Sequence, residues 1–178
     1  NNKRIAKNTL LLYFRMIFMM AVSLYTSRVV LDALGVEDFG IYNVVGGVIT
    51  LFSFVNGAMS SSTQRYITFE LGKGNTSQLQ KVFQTCMNVH LLVALLILFL
   101  GETAGLWFFY EKMVIPPLRM VSAFWVYQFS IFTMMIMVVS VPYNAVIIAH
   151  ERMSTFAYIS VFEVLLKLGI VYLLYLTS

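Results

Sequence analysis

Charge is what this chain has least of. Only 11% of its 178 residues are Asp, Glu, Lys or Arg, while 60% are hydrophobic. An average soluble domain carries about 25% charged residues. Mean hydropathy is +0.82, which excludes an ordinary soluble domain and points to the membrane class. Cysteine is scarcer still: Cys86 is alone, so no disulfide forms within the chain and redox chemistry is not suggested. With only two histidines there is no metal-ligand spacing, and no P-loop, H-E-x-x-H or serine elbow occurs. The stretch "GKGNTS" at 72–77 contains glycine without P-loop spacing and reads as a turn between helices. Neither an enzyme nor a cofactor is indicated. The net charge of +4 does not mark a nucleic-acid binder either, because the charges sit at the ends of apolar runs, where a topology signal belongs.

What the chain has in abundance is long apolar runs. Crossing hydrocarbon as a helix takes about 20 such residues, and five stretches qualify: 9–31, 41–66, 82–109, 120–149 and 158–176. None alternates like a membrane strand, so the expectation is an all-α, polytopic transmembrane bundle without a linker between domains. Pro142 is expected to kink the fourth span near its end. Lys3, Arg4 and Lys7 ahead of the first run resemble a signal peptide, but the run is too long and no cleavage site follows, so a retained span is expected. A cytoplasmic N-terminus puts Lys3, Arg4, Lys7, Arg65, Lys73, Lys81 and Arg152 inside and leaves the acidic loop "DALGVEDFG" outside. Trp107, Tyr110, Trp125 and Tyr127 flank the second outer loop, "EKMVIPPLR", as an interfacial aromatic belt would. The chain starts at Asn1 rather than Met and stops behind an apolar run, as expected of a piece of a longer protein.

Several polar residues interrupt these runs. An arginine at mid-span costs roughly 2.5–3.5 kcal/mol on insertion scales, and the first run holds Arg15 and Arg28. Arg28 either snorkels outward with Asp32 as its helical partner or faces a polar interior; Arg15 has the same two options at greater depth. In the second run Asn43, Gly46, Gly47, Thr50, Gly57, Ser61 and Gln64 recur at three- and four-residue steps, next to Arg65. At about 100° per residue they share one helical face, either a tightly packed seam or a water-exposed wall. Glu163 stands four residues before Lys167, the favourable direction for an ion pair, whether as a structural lock or as a gating site. His90 reads as a hydrogen-bonded packing residue, and Gln128, Ser130, Thr133 and Asn144 add polar groups whose facing the spacing leaves open.

The run "SRVVLDALGVEDFGIYNVVGGVITLFSFVNGAMSSSTQRYITFELGKGN" resembles the start of bacterial polysaccharide or O-antigen flippases, the Wzx-type transporters. The shared pattern is a first span leading into Leu34, Gly35, Asp38, Phe39, Gly40, Ile41 and Tyr42, then a small-residue-rich second span ending in Gln64, Arg65 and Tyr66. The later "VPYNAVIIAHERMSTFAYISVFEVLLKLG" is similar to the connection between the fourth and fifth spans of that family. The resemblance implies part of the first helical bundle of a MATE-like flippase fold. The activity it implies is the movement of a lipid-diphosphate-linked oligosaccharide across the bacterial inner membrane by alternating access. The implied partners are that lipid, the surrounding membrane and a polysaccharide polymerase or glycosyltransferases. On this resemblance Arg15, Arg28 and Lys167 attract the anionic cargo; Asn43, Thr50, Gln64, Arg65 and Glu163, singled out by their place in the runs, are the further candidates for its path. Three alternatives stay open: an organic-cation antiporter of the same superfamily, an integral-membrane enzyme, and a non-transporting assembly subunit.

Overall fold

A computed structural model describes residues 2–50 and 53–177, which are helical almost throughout, with no strand among them. The helices are α1 (Asn2–Thr50), α2 (Ser53–Lys73), α3 (Thr76–Leu100), α4 (Leu106–Glu111), α5 (Met120–Ala149) and α6 (Met153–Thr177). A π-helical turn at Gly101–Gly105 joins α3 to α4, and a 3-10 turn at Pro117–Arg119 leads into α5. Among the described residues four stretches are long and apolar enough to cross a membrane: Thr9–Gly47, Thr76–Glu111, Pro117–Ala149 and Met153–Leu173. The chain is therefore all-α and of the multi-pass membrane type. The expected second span, 41–66, includes residues 51 and 52, which lie outside the described residues, as do the side chains of Lys3, Arg4 and Lys7.

By its internal contacts the chain divides into two units. One holds Asn1–Gly40 and His150–Ser178, the other Ile41–Ala149. In the first, the segment read as an outer loop is helical on both sides of a single break. Gly35 has φ 75° and ψ 169°, so α1 is two helices meeting at that residue. This region of backbone space is essentially reserved for glycine, and no proline or other breaker flanks it, so the helix resumes at once. In the second unit, α2 and α3 are joined through Gly74 and Asn75, whose side-chain oxygen accepts from the Gln78 amide at 3.0 Å and caps α3. That connection is the turn expected at "GKGNTS".

The core of the second unit gathers along α5. Tyr127, Ile131, Met134 and Val138, at helical spacing, pack with Val45, Ile97 and Phe109. Lipid tails are as apolar as these side chains, so close packing and internal hydrogen bonds hold such helices together more than exclusion from water does. The π-helical turn shows both at work. In the π-helical turn the Gly101 carbonyl accepts the Leu106 amide and, on its other lone pair, the Tyr127 hydroxyl at 2.7 Å. A Cβ on Gly101 would stand 2.7 Å from Ile131 Cδ1, and one on Gly105 would collide with the Tyr127 hydroxyl. The two glycines make the space into which α5 inserts. Tyr127 is consequently 1% exposed. It departs from the aromatic belt expected of it, while Trp107, Tyr110 and Trp125 remain exposed. Helix α5 runs unbroken through Pro142, which is buried.

Candidate functional site

Within the second unit lies a groove of about 720 Å³. Tyr42, Asn43, Gly46, Gly47 and Thr50 of α1 form one wall, Asn56 of α2 contributes, and α5 supplies Val126, Phe129, Ser130, Thr133, Met134 and Met137. The α1 residues fall at steps of three and four, and so do those of α5, so each helix turns one stripe toward the space. Only Gly46 has a neighbour across it: a Cβ there would lie 3.9 Å from Ser130 Oγ. A Cβ on Gly47 or Gly57 would meet nothing within 4 Å. These glycines therefore do not serve close helix contact among the described residues, and the stripe at Asn43–Thr50 borders open volume.

The polar chemistry of the groove is specific. The Thr50 hydroxyl donates to the Gly47 carbonyl, Ser130 to Val126 and Thr133 to Phe129, each at 2.7 Å. Such bonds back to the preceding turn are how hydroxyls settle inside helices. They consume the hydroxyl hydrogen and leave oxygen lone pairs for a visitor. Asn56 Oδ1 is buried and has no hydrogen-bond partner among the described residues. No described Lys, Arg, His, Asp or Glu lines the space. The aromatic rings of Tyr42 and Phe129 are exposed. Among the described residues the wall is uncharged and mostly apolar, partly aromatic, with hydroxyl and amide groups set into it.

The residues singled out in the sequence are distributed as follows. Asn43 and Thr50 line the groove. Gln64 and Arg65 do not; Gln64 Nε2 donates to Ser60 Oγ at 3.3 Å, and Arg65 is exposed. Arg15, Arg28, Glu163 and Lys167 belong to the first unit. Arg15 is half-buried, with its guanidinium carbon 4.2 Å from the centre of the Phe156 ring of α6 and its Nε without a hydrogen-bond partner among the described residues. That cation–π contact offsets part of the cost of a buried charge. Arg28 is exposed and forms no ion pair with Asp32. Glu163 and Lys167 are also exposed, and the four-residue spacing between them does not become an ion pair.

Ser130 and Thr133, whose facing the sequence left open, are on the groove. Asn56 escapes a reading by spacing because it lies outside the small-residue stripe. A signal for it exists all the same: an amide in an apolar helix is expensive unless something uses it. His90 is 2% exposed and its Nδ1 sits 2.7 Å from the Cys86 carbonyl, a packing bond within α3, while Nε2 has no partner among the described residues. Among the described residues no group of His, Cys, Asp or Glu could hold a metal ion.

No family model, curated protein or solved structure matches the chain.

Proposed function

We propose that this chain is part of a membrane transporter that flips a lipid-diphosphate-linked oligosaccharide across the bacterial inner membrane by alternating access, with its N-terminus in the cytoplasm. The single observation that carries the reading is the uncharged groove between α1 and α5, in which hydrogen-bonding side chains from three helices converge within a mostly apolar wall. Polar side chains facing lipid are expensive, and inside membrane proteins they gather where a polar solute or water passes. A headgroup of sugars and phosphates faces a large desolvation cost in hydrocarbon. A polar path beside the acyl region lets the headgroup cross while its lipid tail stays in the bilayer. The motif from Leu34 to Tyr42 and the Gln64-Arg65-Tyr66 ending agree with the same reading.

An organic-cation antiporter would need a counter-charge in its cavity, and no described carboxylate lines this groove. In the flippase reading Arg15, Arg28 and Lys167 attract the diphosphate, a role suited to guanidinium with its bidentate, charge-assisted hydrogen bonds. The test is surface-glycan export in cells at unchanged membrane abundance. Asn43→Leu combined with Thr133→Leu should reduce export strongly, and Arg15→Ala, Arg28→Ala and Lys167→Ala should each block it. Normal export in all of these variants would refute the reading.

A further inference from the structure

The sequence leads one to look for cations wherever an anionic cargo is handled, yet among the described residues the groove contains none. Of its four hydroxyls, those of Thr50, Ser130 and Thr133 have each spent their hydrogen on a carbonyl of their own helix, which leaves the Tyr42 phenol as the fourth. What those three present is oxygen lone pairs, joined by the buried Oδ1 of Asn56, unpartnered among the described residues. A phosphate or diphosphate is itself almost purely an acceptor: these oxygens would repel it, only neutral donors such as the Tyr42 hydroxyl and the Asn56 amide would be within the groove, and no positive charge would offset its desolvation. A sugar is the complementary partner. Its hydroxyls donate to these oxygens, its remaining lone pairs can take the Tyr42 hydroxyl and the Asn56 amide hydrogens, and its C–H faces can lie on exposed rings such as those of Tyr42 and Phe129.

Building on the transport reading, we propose that the α1–α5 groove holds the uncharged sugar part of the cargo through hydroxyl donors, with Asn56 Oδ1 as an anchoring acceptor, and that it does not hold the diphosphate. Selection in this groove is then by sugar hydroxyl pattern, not by charge. Asn56 stands at its edge as a specificity-determining residue.

The experiment uses two amphiphiles with the same alkyl chain, dodecyl maltoside with a neutral sugar head and dodecyl phosphate with an anionic one. Both are added below micelle-forming concentrations to the protein in lipid nanodiscs. A reporter cysteine replaces Met137, which is exposed and lines the groove without offering a hydrogen bond, in a Cys86→Ser background. Dodecyl maltoside should slow maleimide labelling of that cysteine, and dodecyl phosphate at equal concentration should not. Asn56→Leu should weaken the protection about five-fold, the worth of one hydrogen bond, while Asn56→Asp, which retains the acceptor and adds charge, should keep it. Stronger protection by the phosphate, equal protection by both heads, protection by neither, or equal protection in Asn56→Leu would each overturn the inference. None of these results touches the transport reading, which glycan export judges separately.

Discussion

Along α5, the face packed into the core and the face lining the groove lie roughly a quarter-turn apart at about 100° per residue, and they handle polar atoms in opposite ways. On the core face the Tyr127 hydroxyl reaches across to a carbonyl of another helix segment, and glycines at 101 and 105 are needed to admit it. On the groove face the Ser130 and Thr133 hydroxyls turn back on their own helix, and the nearby glycines of α1 leave open space. Met134 belongs to both. In a membrane, a hydrogen bond between helices closes a seam, whereas one within a helix lets a polar atom remain at the surface without holding anything together. Glycine likewise has two meanings, and only the neighbour across from it decides which applies.

The contrast is broken or sharpened most strongly by removing an aromatic ring from each face. Phe109 is fully buried against Phe124 and Tyr127, whereas Phe129 is 64% exposed on the groove. A soluble core Phe→Ala change costs about 3–5 kcal/mol. With lipid instead of water as the outside phase, chiefly the packing share remains, so Phe109→Ala should cost on the order of 2–3 kcal/mol. Phe129→Ala should stay within about 0.5 kcal/mol. Reversible unfolding in mixed micelles checks both, and equal losses would mean that the groove is a packed seam after all.

The glycines come next. Gly105→Ala forces a methyl group into the Tyr127 hydroxyl and should destabilise by about 1–3 kcal/mol, as overpacking does. Gly47→Ala meets no neighbour and gains helix propensity, so it should be neutral or stabilising by up to about 1 kcal/mol. If both substitutions proved equally harmful in the same unfolding assay, the two glycine pairs would not differ in the way the geometry requires.

Much of the fold was legible because membrane helices announce themselves by length and apolarity, and the turns at Gly74-Asn75 and Pro116-Pro117 lie where breakers and caps stand. The stripe at Asn43, Gly46, Gly47 and Thr50 was legible too, since its spacing alone puts it on one face. Whether that face was seam or wall was not, because the answer depends on what lies opposite, and the partners Ser130, Thr133 and Asn56 come from distant parts of the chain. The helical continuation around Gly35 was hidden by acidic residues that read equally well as loop or helix. The depth of Tyr127 was hidden for the same reason as the seam: an aromatic at a helix end suits an interface unless small residues on another helix make room for it.

The smallest effects belong to the hydroxyls themselves, and they probe the comparison most directly. Tyr127→Phe removes one of two donors to the Gly101 carbonyl, which keeps its bond from the Leu106 amide, so it should cost about 0.5–1.5 kcal/mol, the worth of one hydrogen bond. Thr133→Val removes a hydroxyl whose hydrogen was already shared within its own helix. The carbonyl it served keeps the ordinary backbone pattern of a helix interior, and the stability change should fall within about 0.5 kcal/mol. Its consequence should appear instead in cargo handling, because one acceptor has gone from the groove wall. Measuring unfolding and glycan export on both variants separates the two roles: Tyr127→Phe should lower stability more than Thr133→Val, and Thr133→Val should lower export at unchanged abundance. A large stability loss in Thr133→Val would mean that its hydroxyl bonds across to another helix, and the groove face would then be a second core.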